Sequence, residues 1–182
     1  KQGRHNSLNP LNELKKLMIK KLMKYGKVEI HPSYQSLNKP ELILQEKLQL
    51  TKITQSDINV SRFHFLRLNF PESFIALNQY KIQTDQSVGY YDRPGFPSST
   101  CQSYHFFDVL NNQSLPLSIQ PFVWMDSMNK YYRKLSVEEE KEELYHFKNL
   151  VRKYHGRFCV VFHNDSMTER RYRMLFKSLL YS

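Results

Sequence analysis

Cysteine, tryptophan and glycine are scarce in this chain, with two, one and five copies among 182 residues, and no apolar run approaches the length of a membrane span. Two thiols, Cys101 and Cys159, do not make the disulfide framework of a small secreted domain. Cys159 falls inside an apolar run and reads as a small core residue. The lack of a long apolar segment excludes a transmembrane helix, and the opening Lys1-Gln2-Gly3-Arg4-His5 is not a signal peptide. There is no glycine-rich loop to cradle phosphate, no zinc-finger spacing and no RNA-binding signature. Internal repeats and low-complexity linkers are also missing. The chain has no initiator methionine, so it is expected to begin partway through a longer protein. The visible residues favour a cytoplasmic setting.

What is present describes a folded domain. Hydrophobic residues make up 40% and aromatic residues 14% of the chain, enough for a substantial core in a single domain over 1–182. The formal net charge of +10 points toward an acidic partner. Its distribution weakens the case for nucleic acid. Lys15, Lys16, Lys20, Lys21 and Lys24 lie opposite Leu11, Leu14, Leu17, Met18 and Leu22 at helical spacing, as a solvated face does. Arg170, Arg171 and Arg173 alternate with Met174, Leu175 and Leu179 in the same way.

The periodicity predicts helices over 10–25, from 38 onward, and over 71–80, 125–134 and 136–154, with a last one from 166. Ser136-Val137-Glu138-Glu139 is a capping box. Strands are predicted over 28–30, 60–65, 87–90, 104–110, 115–122 and 157–162, with Asn111-Asn112-Gln113 as a polar turn between the fourth and fifth. Alternation of the two kinds implies an α/β fold with mainly parallel strands.

Three histidines stand at or near the ends of these strands, where open sheets and α/β barrels place their chemistry. His163 closes Cys159-Val160-Val161-Phe162-His163 before Asn164 and Asp165. His31 closes Val28-Glu29-Ile30-His31 and opens into Pro32-Ser33-Tyr34. His64 lies in Arg62-Phe63-His64-Phe65, where it also reads as a half-buried strand residue. Three such imidazoles suit one shared site. Asp92, Asp108 and Asp126 are further candidates, although Asp is equally common in turns. His105, His146 and His155 read as surface or helix residues.

Five segments, in order, carry a resemblance. Val28-Glu29-Ile30-His31-Pro32-Ser33-Tyr34-Gln35-Ser36 resembles the His-Pro-Ser-Tyr segment of a bacterial branch of the polysaccharide deacetylase family. Arg62-Phe63-His64-Phe65-Leu66-Arg67 is similar to its arginine motif. Ser87-Val88-Gly89-Tyr90 through Gly95-Phe96 resembles the following glycine and aromatic loop. Phe106-Phe107-Asp108, Pro121-Phe122 and Met125-Asp126 fit the next strands, and Val161-Phe162-His163-Asn164 resembles the terminal histidine motif.

The resemblance implies the NodB-homology fold, a distorted or incomplete (β/α) barrel, here without its first strand or strands. It also implies hydrolysis of an N- or O-linked acetyl group on a carbohydrate, a surface polysaccharide or its precursor. A divalent metal, usually zinc, polarises the acetyl carbonyl and activates water in that family. Carried over residue by residue, His31 is a metal ligand, Arg62 the arginine that orients the base carboxylate, and His163 the general acid. Gln35 stands where a second histidine ligand is usual, so that role is given to His64. Tyr34, Tyr90, Asp92 and Trp124 are the substrate-binding candidates. Pro97-Ser98-Ser99 stands where this branch often carries an arginine after Gly-Phe. No aspartate precedes Asp57, so neither catalytic carboxylate of the family's first motif has a counterpart in this chain. Two readings follow: an enzyme whose first motif lies outside these residues, or a non-catalytic deacetylase-like module that binds a glycan or a protein partner.

Overall fold

The computed structural model describes residues 13–181 and is a mixed α/β structure. Its residues cluster into two compact units. One takes the residues up to Ser87 together with His105–Ile119, and the other takes Val88–Tyr104 together with the residues from Gln120 onward.

The first unit is built on a four-stranded sheet of β1 (Val60–Ser61), β2 (Thr84–Asp85), β3 (Tyr104–Asp108) and β4 (Gln113–Ile119), in the order β1-β2-β4-β3. β1, β2 and β4 run parallel, in the register Ser61↔Asp85 and Asp85↔Ile119. Ile30 adds a single parallel bridge to Ser61. Three helices belong to this unit: α1 (Glu13–Leu22), α2 (Glu41–Thr54) and α3 (Glu72–Gln79). α2 buries Ile43, Leu50 and Ile53, and α3 buries Phe74 and Leu77. The buried Lys47 of α2 donates to the carbonyls of Tyr80 and Lys81 just past the end of α3 (3.1 and 3.0 Å), where orphan carbonyls attract a cation.

The second unit holds the parallel pair β5 (Trp124–Met125) and β6 (Val160–Val161), in the register Trp124↔Val160. Its helices are α4 (Asp126–Tyr131), α5 (Val137–Lys153) and α6 (Arg170–Leu180). The core gathers Val123, Trp124, Leu144, Tyr172 and Leu175. The expected capping box opens α5: Ser136 Oγ accepts from the Glu139 amide (3.2 Å), and the Glu139 carboxylate accepts from the Ser136 amide (2.7 Å). Gly89 is required for close approach, because a Cβ there would sit 2.2 Å from the Phe122 ring. No closed barrel forms among the described residues, which fits a distorted or incomplete one.

β3 and β4 cover most of the strands expected over 104–110 and 115–122, whereas the other four are much shorter than the sequence predicts or missing, and side chains explain why. The strand expected over 28–30 shrinks to the bridge at Ile30, since Glu29 turns its carboxylate to the amides of Asn59 and Val60 (both 3.0 Å). The strand expected over 60–65 stops at Ser61. The Phe63 amide goes to Ser87 Oγ (2.9 Å), and the chain then tightens into a 3₁₀ turn, His64–Leu66. Residues 87–90 are not a strand, because Asp85 Oδ1 takes the Ser87 amide (2.8 Å). Of the strand expected over 157–162, only Val160–Val161 pairs.

Two burial expectations are corrected as well. Cys101 is the buried thiol, with Gly156 packed against it, whereas Cys159 is only partly buried. On α1 only Ile19 is buried, and Leu14, Leu17, Met18 and Leu22 stay exposed. Leu11 and the predicted start of that helix lie outside the described residues.

The capping box gives the first testable expectation. Ser136→Ala removes the acceptor for the Glu139 amide and should lower stability by about 1 kcal/mol in urea denaturation. An unchanged denaturation midpoint would show that α5 does not depend on its cap.

Candidate functional site

In the first unit, the carboxyl ends of Ile30, β1 and β2 lie side by side because the strands are parallel and in register. The residues just past those ends are therefore brought together. His31 Nδ1 lies 2.5 Å from the Arg62 carbonyl. A carbonyl only accepts, so Nδ1 carries the proton and donates, and in the neutral ring Nε2 carries the lone pair. Arg62 donates Nε–H to the Gln86 carbonyl (3.0 Å) and Nη2–H to Gln86 Oε1 (3.1 Å), which locks its guanidinium to the segment after β2. The His64 ring meets the His31 ring edge-on, with centroids 4.9 Å apart.

His64 reaches that position from the 3₁₀ turn and not from a strand. Two consecutive non-glycine residues of the turn, Phe65 and Leu66, have positive φ (57° and 53°). Such a backbone costs on the order of 1–3 kcal/mol per residue and persists only where its surroundings hold it. Here the buried Phe63 anchors one side, and the Arg67 amide bonds back to the His64 carbonyl (3.1 Å). Tyr34 is half-buried, with the Arg67 guanidinium 3.9 Å above its ring.

Behind these residues lies a carboxylate that sequence reasoning missed. Asp85 is fully buried and accepts from Ser61 Oγ (2.6 Å), the Ser87 amide (2.8 Å) and Ser87 Oγ (3.0 Å). Burial pushes its carboxyl up to about 6, against the opposing pull of those three donors and of the Arg62 charge. The signal was present as two serines that flank Asp85, one in strand register and one two residues along the chain.

The second unit shows the same logic at β5 and β6. Asp126 follows β5, His163 lies two residues past β6, and the parallel register sets the two strand ends together. The buried Asp126 carboxylate grips His163 twice, accepting the backbone amide on Oδ2 (2.6 Å) and the ring Nδ1–H on Oδ1 (2.5 Å). Burial works to raise the Asp126 carboxyl. The hydrogen bonds and charge of His163, with a smaller share from Ser166, outweigh it and hold the group below its ordinary value. The His163 side chain remains 46% exposed. Asp165 pairs instead with Lys130 (3.4 Å).

The remaining candidates of this unit are placed as follows. Tyr90 is half-buried beneath the Arg93 guanidinium (4.3 Å), and Asp92 pairs with Arg93 (3.3 Å). Trp124 lies wholly in the core, so its ring presents no exposed face. Asp108, in the first unit, closes its own turn by accepting from the Leu110 and Asn111 amides (3.0 and 3.3 Å). Among the described residues, no group of three His, Cys, Asp or Glu side chains is arranged to hold a metal ion. His31 and His64 are two imidazoles, one short of the three protein ligands a catalytic zinc takes.

No protein-family model matches the sequence, and no curated protein matches it. In fold, the chain is similar to a crystal structure from Mycobacterium smegmatis provisionally assigned as a polysaccharide deacetylase. The TM-score is 0.66 and the identity 14%, with 92% of this chain and 61% of that chain covered. The likeness shows the fold, and this chain spans 61% of the neighbour's length.

Asp85 makes a pH dependence testable. Its folded value is raised, so its contribution to stability is full below the ordinary carboxylate value near 3.8 and is lost as pH rises through about 6. Asp85→Asn removes the charge and keeps an acceptor for the Ser87 amide. The variant's stability relative to wild type should therefore rise by roughly 3 kcal/mol between pH 4 and pH 7 in urea denaturation. A difference that stays constant across that range would contradict the assignment.

Proposed function

We propose that this chain belongs to a carbohydrate deacetylase-like hydrolase, as a single such domain over 1–182. Its reaction is removal of an N- or O-linked acetyl group from a surface polysaccharide or its precursor, in a cytoplasmic setting. The observation that carries the reading is the Asp126–His163 pair. It combines a buried carboxylate, an imidazole fixed through both ring and backbone, and an exposed ring at the end of two parallel strands. The fold likeness to the Mycobacterium smegmatis structure supports it.

In this reading His163 is the general acid. Hydrolysis of an amide or ester needs a proton on the departing nitrogen or oxygen, and a positioned imidazolium supplies one near neutral pH. Asp126 fixes the tautomer that keeps Nδ1–H on the carboxylate, directs Nε2 outward, and stabilises the imidazolium before transfer. Arg62, tied to Gln86, holds the chain after β1 and so keeps the carbonyl that orients His31 in place. His31 and His64 are the proposed donors to a divalent metal, zinc by preference, which when bound would polarise the acetyl carbonyl and activate water. The described residues do not complete that ligand set. Tyr34, Tyr90 and Asp92 are the proposed contacts to the sugar.

A second reading, a glycan-binding module without a base, is favoured by one observation. Asp85 and Asp126, buried carboxylates at the carboxyl ends of parallel strands, both accept from protein donors.

His163→Ala should keep the fold and cut deacetylation of acetylated oligosaccharides, read by mass spectrometry, roughly a hundredfold or more. His31→Ala should lower metal content and activity together. Undiminished turnover in His163→Ala would overturn the acid role. Full metal content in His31→Ala would remove that residue from the site. A wild-type protein that binds the same oligosaccharides without hydrolysing them would establish the second reading.

A further inference from the structure

The 3₁₀ turn after β1 sets three side chains in an arrangement that stability does not explain. Phe65 is held at positive φ and yet is 68% exposed, so the strained backbone secures no burial for its ring. The ring lies beside His64 (centroids 4.3 Å apart) and edge-on to Tyr34 (6.2 Å). Arg67 is stacked on Tyr34 at 3.9 Å. Among the described residues, its guanidinium makes no ion pair with any carboxylate. Arg62, Arg133 and Arg171 by contrast all spend their donors on protein acceptors. A stacked guanidinium has already lost much of its rotational freedom, and its planar fork matches an oxyanion. An exposed aromatic beside it offers a flat apolar surface to the C–H face of a sugar ring.

We propose that Phe65, Tyr34 and Arg67 form a subsite for an acidic saccharide unit. Phe65 packs on the ring, and Arg67, braced by Tyr34, pairs with an anionic group that the sugar carries. The inference deepens the carbohydrate reading above and names a substrate class for it, a glycan bearing carboxylate, sulfate or phosphate. The excess of basic over acidic side chains in the chain fits that charge.

The test is calorimetric titration of the full chain at physiological salt, with no turnover required. The probes are a neutral N-acetylglucosamine tetramer, a hyaluronan tetrasaccharide that adds carboxylates, and a chondroitin sulfate tetrasaccharide that adds sulfate. The charged probes should bind roughly tenfold or more tightly than the neutral one. Comparison of the two charged probes identifies which anion the fork prefers. Arg67→Gln should abolish the preference, and Arg67→Lys should lose most of it, because an ammonium keeps the charge without the stacked fork. Lys24→Gln, an exposed lysine outside the turn, should leave the preference intact. Phe65→Gly should weaken all three probes about tenfold while leaving the melting temperature unchanged or higher, since glycine adopts positive φ without strain.

A preference that survives Arg67→Gln, or that falls equally in Lys24→Gln, would overturn the subsite. So would a polyglutamate peptide that binds as tightly as the charged saccharides. Failure of the deacetylase reading is visible separately, as binding without hydrolysis. In that case a preference lost in Arg67→Gln would leave the subsite standing in a glycan-binding module.

Discussion

At the ends of β1, β2 and β6, and just ahead of Ile30, a side-chain oxygen captures a backbone N–H that a longer β-ladder would have used. Glu29 takes the amides of Asn59 and Val60, Ser87 takes that of Phe63, Asp85 takes that of Ser87, and Asp126 takes that of His163. A buried amide must be paired, and one pairing excludes another. The captures of the Phe63, Ser87 and His163 amides lie just past β1, β2 and β6 and release the chain into a turn at a defined place, whereas Glu29 closes the ladder ahead of Ile30. Arg62, His64 and His163 are the side chains those turns present, and His31 follows the bridge at Ile30.

The two carboxylates that do this differ in what they hold. Asp85 accepts from neutral hydroxyl and amide donors and feels the Arg62 charge only as a lesser pull, so burial dominates and its acid form is favoured up to about 6. Asp126 is as deeply placed but meets an imidazole, and that partner reverses the balance in favour of the charged form. Positions at the carboxyl ends of parallel strands thus yield a support that tolerates protonation in one unit and an ionised anchor for a histidine in the other. The first suits a scaffold under an arginine and a histidine. The second suits proton transfer.

Part of this was legible in the residues alone. Alternating periodicity identified an α/β chain, and Ser136 with Glu139 marked the start of α5 to the residue. The placement of His31 and His163 past short apolar runs was readable because a parallel ladder puts such positions at one end, whereas Arg62 was expected inside a strand and lies past one. Strand length was not readable, because Val60, Phe63 and Phe65 are β-prone whether or not Ser87 takes the Phe63 amide. Asp85 was hidden, and Asp126 was a candidate without a partner, since an aspartate looks alike in sequence whether it closes a turn, as Asp108 does, or grips a neighbouring strand. Trp124 and Cys159 were misjudged in burial, a property set by helix packing over the sheet that periodicity does not resolve in segments this short.

The most direct test of this account is residue-resolved amide hydrogen exchange. Val60, Phe63, Ser87 and His163 should be protected as strongly as ladder amides, although all but Val60 lie outside any strand. Ser87→Ala should abolish protection at Phe63 while leaving His163 unchanged. Exchange of the Phe63, Ser87 and His163 amides at loop rates in the wild-type protein would contradict the claim that side chains end these strands and place the site.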